Sequence, residues 1–244
     1  MGQRGVSGRK SEANAADRLM NEAALLLNDL DYLFGRLMEY RYSELIPIQA
    51  FTTDLFYREF MSPRRRTAAG GLLKATILMV DSLRYDLWSQ VIRAMLEKDY
   101  EIEESFGLAR LPSETRVSRR AFFSGKSPAF IPPGPESTLF INYLKEVHKL
   151  DFTAKEASCR EGMSFATRTT DDSTYACVFD FTDRLSHEIS WSPHKLQESI
   201  RPILHEMEAV LKEQGRDHIV FLTSDHGHIR MQKGSPIFLS LIHI

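Results

Sequence analysis

Apolar residues follow two different patterns along the chain, and the first predicts a long amphipathic helix from about residue 11 to 38. Apolar side chains recur there at alternating steps of four and three residues, at Leu19, Ala23, Leu26, Leu30, Leu33 and Leu37. This spacing places them on one face of a helix. The face suits a coiled-coil seam, an arm of a helical hairpin, or packing on its own domain. We favour packing, because the stripe contains fewer than three clean heptads.

The second pattern begins after residue 71 and predicts a sheet whose strands are buried on both faces. The run 75–80 and the run 218–223 are nearly continuous apolar segments, which is typical of central strands in a parallel sheet. Strands alternating with helices indicate an α/β fold, in which a mostly parallel sheet is sandwiched by helices. The predicted strands are 75–80, 102–108, 175–181 and 218–223, and the predicted helices are 47–60, 86–97, 115–123, 139–149 and 192–214.

Between the two patterns lies PRRRTAAGG, residues 63–71, which we interpret as a linker. Three consecutive arginines would suit a nucleic-acid patch, but so short a run beside two glycines is more typical of a solvated joint. The chain is therefore divided into an N-terminal helical region, 1–62, the linker, and an α/β domain over 72–244.

Composition narrows the class of protein. The 244 residues are 43% hydrophobic and 26% charged with a net charge of -2, which excludes a fibrous chain and does not indicate a basic nucleic-acid or membrane coat. No apolar run reaches the roughly 20 residues of a membrane helix. The two cysteines match no zinc-ribbon spacing and are too few for a disulfide scaffold. With no apolar secretory core at the N-terminus, we expect a cytoplasmic protein.

Carboxylates and histidines follow three of the predicted strands. Asp81 follows the first, Asp225 and His226 follow the last, and Asp183 with His187 four residues later follows the strand at 175–181. Ligand sites in open α/β sheets lie at the carboxyl ends of the strands, so these side chains are expected to converge. Carboxylate and imidazole groups suit Zn²⁺ or Mn²⁺. Either pair alone would also fit a capping aspartate beside a surface histidine.

A fourth segment, LPSETRVSRRAFFSG, supplies hydroxyl groups at the predicted start of a helix. Ser113 and Thr115 lie where backbone N–H groups and the helix dipole stabilise an anion. A hydroxyl there suits a nucleophile that attacks phosphate, and a bound metal would lower its pKa. Arg119 or Arg120, one turn along, would clamp phosphate oxygens. An ordinary helix cap is the alternative.

Taken together, ILMVDSLRYDLW, LPSETRVSRRAFFSG, FDFTDRLSH and FLTSDHGH resemble the PglZ domain of the alkaline phosphatase superfamily, over about residues 72–233. The resemblance implies a two-metal phosphohydrolase core, with zinc as the expected metal and manganese as the alternative. One metal would be bound by Asp81, Thr115, Asp225 and His226.

The resemblance also assigns the remaining roles. Asp183 and His187 would hold the second metal, Thr115 fits the position of the nucleophile better than Ser113, and Arg120 stands where relatives carry a polar or basic substrate-facing residue. The superfamily adds a further histidine to the second metal from beyond the Asp-His motif. Only His228 and His243 follow it here. Since the sequence stops in PIFLSLIHI soon afterwards, we expect the domain to be incomplete at its C-terminus.

The implied function is a metal-dependent phosphatase or phosphodiesterase in a bacterial phage-defence system of the BREX type or in signalling. The substrate would be a phosphate ester, with an oligonucleotide as one candidate, and the N-terminal helices would bind protein partners. The alternatives are a non-catalytic PglZ-fold subunit that acts by binding, or a phosphomutase or sulfatase relative. Neither Cys159 nor Cys177 lies in the nucleophile turn, which disfavours a sulfatase.

Overall fold

A computed structural model describes most of the chain, which divides into two compact units near residue 50. The described residues are 51–105, 107–109, 113–155, 163–169, 173–188, 193–215 and 218–227, together with part of 15–41. Every described residue of 15–41 is helical, in agreement with the apolar period. The five leucines of the stripe are 42% to 66% exposed.

The second unit alternates strands and helices. Helix α1 has a π-helical part, Tyr57–Met61, and an α-helical part, Ser62–Arg64. Helix α2 has three parts, Tyr85–Leu87, a π-helical Trp88–Ile92, and Arg93–Leu96. The other helices are α3 (Thr115–Ser124), α4 (Glu136–His148), α5 (Phe181–Glu188) and α6 (Pro193–Gln214), with a 3-10 turn at Pro128–Phe130. The strands are β1 (Phe51–Thr52), β2 (Ala75–Val80), β3 (Gly107–Leu108), β4 (Ala154–Lys155), β5 (Met163–Thr169), β6 (Thr174–Phe179) and β7 (Ile219–Thr223).

The main sheet has five strands in the order β4-β5-β6-β2-β7. Strands β6, β2 and β7 are parallel, whereas β5 pairs with β6 in antiparallel register and β4 pairs with β5 in antiparallel register. The predicted α/β fold with a mostly parallel sheet and flanking helices is confirmed. Strands β1 and β3 form a separate parallel pair. None of the helices among the described residues is both long enough and apolar enough to cross a bilayer.

Strand β2 is apolar throughout because each of its faces is covered. Ile77 and Met79 belong to a hydrophobic cluster with residues of α1, α3 and α4. Leu78 and Val80 point to the other face and belong to a cluster with residues of α2 and α6. A central strand with helices on both sides has no solvent-facing side chains, which explains why a continuous apolar run predicted it correctly.

The boundary that we placed at residues 63–71 is wrong. Tyr57 and Met61 of α1 are fully buried in the same cluster as Ile77 of β2, so the α/β unit begins before the supposed linker. Arg65 is also fully buried, and its guanidinium donates to the carbonyl oxygens of Leu73 and Ser173 and to the Tyr57 hydroxyl. From the sequence alone, a run of arginines indicates a solvent-exposed segment. The burial of one of them becomes visible only in the tertiary structure.

Two further predictions differ from the structure. The helix predicted over 47–60 begins later and ends later than expected. Phe51–Thr52 forms strand β1, and α1 runs from Tyr57 to Arg64, with Pro63 in the first turn of its α-helical part. Of the strand predicted over 102–108, only Gly107–Leu108 forms. Glu103 and Glu104 instead reach outward to Arg64 and Trp88. Strand β5 was not predicted, because its sequence mixes polar and apolar residues and lacks the continuous apolar run of a central strand.

Candidate active site

The candidate site lies where β2 and β7, which are neighbours in the sheet, both end. The register pairs Met79 with Thr223, so Asp81 and Asp225 each come two residues later and stand at the same level. Asp81 is 2% exposed and Asp225 is 1% exposed. The chain turns sharply after Asp81, where Ser82 has a φ of 61°, and the Ser82 N–H donates to Asp225 Oδ1 at 3.2 Å. The turn therefore fixes one carboxylate against the other.

His226 completes a compact set of ligand atoms with the two aspartates. One atom from each of the three residues lies within 4.8 Å of the others. The Nε2 atom of His226 is 3.5 Å from Asp81 Oδ1 and 3.6 Å from Asp225 Oδ2. Its Nδ1 faces the Gly227 carbonyl oxygen at 2.8 Å, which requires the proton to be on Nδ1. That tautomer leaves the lone pair of Nε2 facing the carboxylates, as in a metal-binding imidazole.

The carboxylates carry the electrostatic signature of a cation site. Burial raises the pKa of Asp81, the charge of Asp225 raises it further, and Arg119 and His226 oppose the shift. Burial also raises the pKa of Asp225, although the Ser82 N–H stabilises its charged form. Asp225 Oδ2 is buried, and no described residue donates a hydrogen bond to it. A divalent cation among these oxygens would offset both their burial and their mutual repulsion, so the donor set fits a metal.

Thr115 joins this cluster from the start of α3. It is the first residue of the helix after Glu114, and its hydroxyl oxygen lies 2.8 Å from His226 Nε2 and 3.2 Å from Asp81 Oδ1. Ser113, the alternative nucleophile, is fully buried, and its hydroxyl forms no hydrogen bond with any described residue. Of the two hydroxyls, it is Thr115 that lies within reach of the metal-ligating atoms.

Of the two arginines that follow Thr115 by one turn, Arg119 is the one that contacts the carboxylates of the site. Arg119 Nη1 donates to Asp81 Oδ2 at 2.9 Å, and its Nε donates to Glu136 Oε1 at 3.0 Å. Arg120 instead donates to the carbonyl oxygens of Pro132 and Gly134 in the loop before α4. Residue 119 is four residues from Thr115 and therefore shares its helix face, whereas residue 120 does not. That spacing was available from the sequence.

The structure describes only some of the side chains that were predicted to hold a second metal. Asp183 lies in the first turn of α5, close enough for its charge to raise the pKa of Asp81. Neighbouring Thr182 anchors this turn by donating to the Asp81 carbonyl oxygen at 2.6 Å. His187 lies one turn further along α5, and its side chain is outside the described part of the structure, as are His228 and His243. Within the described residues, Asp81, Asp225 and His226 are the one set that could hold a metal.

Sequence reasoning missed the residues that support the site. Glu136 at the start of α4 holds Arg119, and its only sequence signal is an acidic residue in the first turn of a helix. The Ser224 hydroxyl donates to the His226 carbonyl oxygen at 2.6 Å and accepts from the Leu83 N–H at 3.0 Å. Ser224 therefore ties together the turns that follow β2 and β7. Serine before an Asp-His pair carries no local signal of this role.

Comparison with known families agrees with this geometry. A family model described as the BREX system PglZ alkaline phosphatase-like domain matches residues 56–237. The match begins at α1, which is consistent with the burial of that helix in the core of the α/β unit. No curated protein matches the sequence. Because the family model covers well over half of the chain, the protein belongs to the PglZ alkaline phosphatase-like family of BREX systems.

Proposed function

From membership of this family and the geometry at the strand ends, we propose that the protein is a metal-dependent phosphoric ester hydrolase acting in phage defence. The observation that carries the proposal is the Thr115 hydroxyl, which lies 2.8 Å from one residue of the Asp81–Asp225–His226 cluster and 3.2 Å from another. A nucleophilic oxygen placed at the start of a helix and against metal-ligating atoms suits attack on phosphorus.

Asp81, Asp225 and His226 would hold a divalent cation, zinc foremost and manganese second. When bound, the cation supplies Lewis acidity that lowers the pKa of the Thr115 hydroxyl and stabilises charge on the phosphoryl oxygens. In the first displacement, Thr115 Oγ1 forms a bond to phosphorus while the bond from phosphorus to the ester oxygen breaks, and the alcohol leaves. Water then displaces Thr115 from phosphorus and regenerates the hydroxyl.

Arg119 would bind a non-bridging oxygen of the phosphoryl group. Its Nε and Nη1 are held by Glu136 and Asp81, while no described residue accepts a hydrogen bond from its Nη2. The side chain of Arg119 is 16% exposed. Two carboxylates thus fix the direction of a planar donor whose free edge suits a phosphate oxygen.

We assign Asp183 and His187 to a second metal, which would stabilise the leaving oxygen and the attacking water. The charge of Asp183 reaches Asp81, which supports a position beside the first metal. The substrate would be a phosphate mono- or diester, and an oligonucleotide is our candidate because the family belongs to a defence system. The competing proposal is a subunit that keeps the fold and acts by binding alone.

Replacement of Thr115 separates these proposals. The Thr115→Ala variant should retain the metal content of the wild type and lose hydrolysis of bis-p-nitrophenyl phosphate. The Thr115→Ser variant should recover part of the activity, because it restores a hydroxyl. Ser113→Ala is the matched control and should remain active. Unchanged hydrolysis in Thr115→Ala would exclude the covalent route, and a metal-free, inactive wild type would favour the binding subunit.

A further inference from the structure

We propose that the N-terminal helix forms an antiparallel coiled coil with a second copy of this chain. The proposal concerns the helical residues of 15–41 and does not depend on the hydrolase activity. The seam consists of seven residues that follow a single heptad repeat, Leu19, Ala23, Leu26, Leu30, Leu33, Leu37 and Tyr40. The steps between them are 4, 3, 4, 3, 4 and 3, a mean of 3.5, which is the period of a left-handed coiled coil.

The seam is open to solvent in the single chain. Its five leucines are 42% to 66% exposed and Tyr40 is 59% exposed. These large apolar side chains form one continuous stripe along a helix about 40 Å long. Monomeric proteins rarely expose a contiguous apolar surface of this extent, so the stripe is expected to be covered by another helix.

An antiparallel second copy gives well-matched layers. If Leu26 lies opposite Leu30 of the second copy, the same register places Leu19 opposite Leu37 and Ala23 opposite Leu33. Each of these layers then contains a leucine, and the small Ala23 side chain meets a large one, whereas Tyr40 lies beyond the last matched layer. A parallel pair would instead place Ala23 against Ala23, which leaves a gap in the seam.

The charges beside the seam also favour the antiparallel direction. Glu22 and Arg36 each precede a seam residue. In the antiparallel register Glu22 of each copy lies near Arg36 of the other, so the dimer contains two such pairs. Asp29 meets Asp29 of the second copy once, a single repulsion against the two attractive pairs. In a parallel dimer, Arg36 of each copy would face Arg41 of the other, which gives two repulsive pairs. Within one chain Arg36 lies 3.4 Å from Glu39, but both side chains are more than half exposed, so this pair competes weakly.

Sedimentation equilibrium on the full chain tests the proposal. The wild type should be a dimer, and Leu26→Asp should raise the dissociation constant about 30-fold or more, because it buries a charge at the central layer. Leu25→Asp is the matched control. Leu25 is 65% exposed and Leu26 64%, but Leu25 lies off the seam, so this variant should remain dimeric. A monomeric wild type, or equal effects of the two variants, would overturn the proposal.

A charge exchange tests the direction. Arg36→Glu should weaken an antiparallel dimer about threefold, because it faces Glu22, whereas it would strengthen a parallel dimer by removing the Arg36–Arg41 repulsion. The double variant Glu22→Arg with Arg36→Glu should recover wild-type affinity. Strengthening by Arg36→Glu alone would exclude the antiparallel register. Far-UV circular dichroism and metal content of each variant should match the wild type, which separates loss of the dimer from loss of the fold.

Discussion

Two networks of charged groups are buried at opposite ends of the parallel strands. They differ in how many of their polar atoms have a hydrogen-bond partner. At the amino ends, Arg65 donates to Leu73, to Ser173 and to Tyr57, whose hydroxyl lies 2.6 Å from His148 Nε2. At the carboxyl ends, Asp81 and Asp225 are buried beside each other, and Asp225 Oδ2 receives no hydrogen bond from a described residue.

The comparison separates a structural network from a functional one. Each acceptor around Arg65 receives at least one of its N–H groups, so this charge joins α1 to the starts of β2 and β6. At the other end, Arg119 pairs with Asp81, but the two carboxylates repel each other and no described residue donates a hydrogen bond to Asp225 Oδ2, which a cation would compensate. Buried groups left short of partners are a feature of sites that bind something. The difference predicts opposite responses to loss of charge at the two ends.

The largest expected effect is at the carboxyl ends. Asp225→Asn removes a charged ligand, and we expect kcat/KM and metal affinity to fall at least about 1,000-fold, since loss of even an outer-shell partner costs 10–100-fold. Metal analysis and hydrolysis of a phosphodiester measure both quantities. A variant that keeps its metal would show that Asp225 is not a ligand.

At the amino ends, Arg65→Met should destabilise the protein by about 3 kcal/mol, because two carbonyl oxygens and a phenol lose a buried donor. Arg66→Met is the control: Arg66 is exposed, and its replacement should change the free energy of unfolding by less than about 0.5 kcal/mol. Urea denaturation measures both values. Equal effects of the two variants would contradict the structural role of Arg65.

The metal-free protein gives the sharpest contrast. With EDTA present, Asp225→Asn should raise the free energy of unfolding by about 1 kcal/mol, because it removes one of two buried like charges. The amide oxygen can still accept the hydrogen bonds from the Ser82 and His226 N–H groups. A metal-free variant less stable than the wild type would mean that the carboxylates do not repel each other strongly.

The last expected effect is the pH dependence contributed by His148. Burial and the positive charges of Arg65 and Arg66 lower the pKa of His148 from 6.5 to about 4. Between these two values the unfolded chain binds more protons than the folded protein, so stability falls as the pH falls from 6.5 towards 4. His148→Gln should flatten this part of the stability profile. An unchanged profile in that variant would show that another group is responsible.

Much of the fold could be predicted because its signals are local. The strand at 75–80 was predicted with the bounds that it has, and α3 was predicted to within one residue of Ser124. The sequence also pointed to Asp81, Thr115, Asp225 and His226, which the structure brings together. Topology explains this success, since parallel strands deliver the residues that follow them to one edge of the sheet.

The failures involve contacts between distant parts of the chain. Arg65 is buried because of Ser173, which lies 108 residues away, and its neighbours Arg64 and Arg66 are not fully buried. Arg119 and Arg120 are adjacent and chemically identical, yet only the first meets Asp81. Similarly, the heptad repeat predicted a helix but not whether its seam would be covered.

The sequence by itself determined the period of each element and the chemistry at the strand ends. Both follow from which side chains must avoid water and from the direction in which a strand runs. Only the tertiary structure decided which arginine is buried, which one faces the carboxylates, and that the apolar seam is exposed. The burial of Arg65 depends on atoms supplied by remote segments, and residue type and spacing carry no record of it. The spacing of Arg119 from Thr115 placed both on one helix face, but only the packing of α3 against β2 brought that face to Asp81.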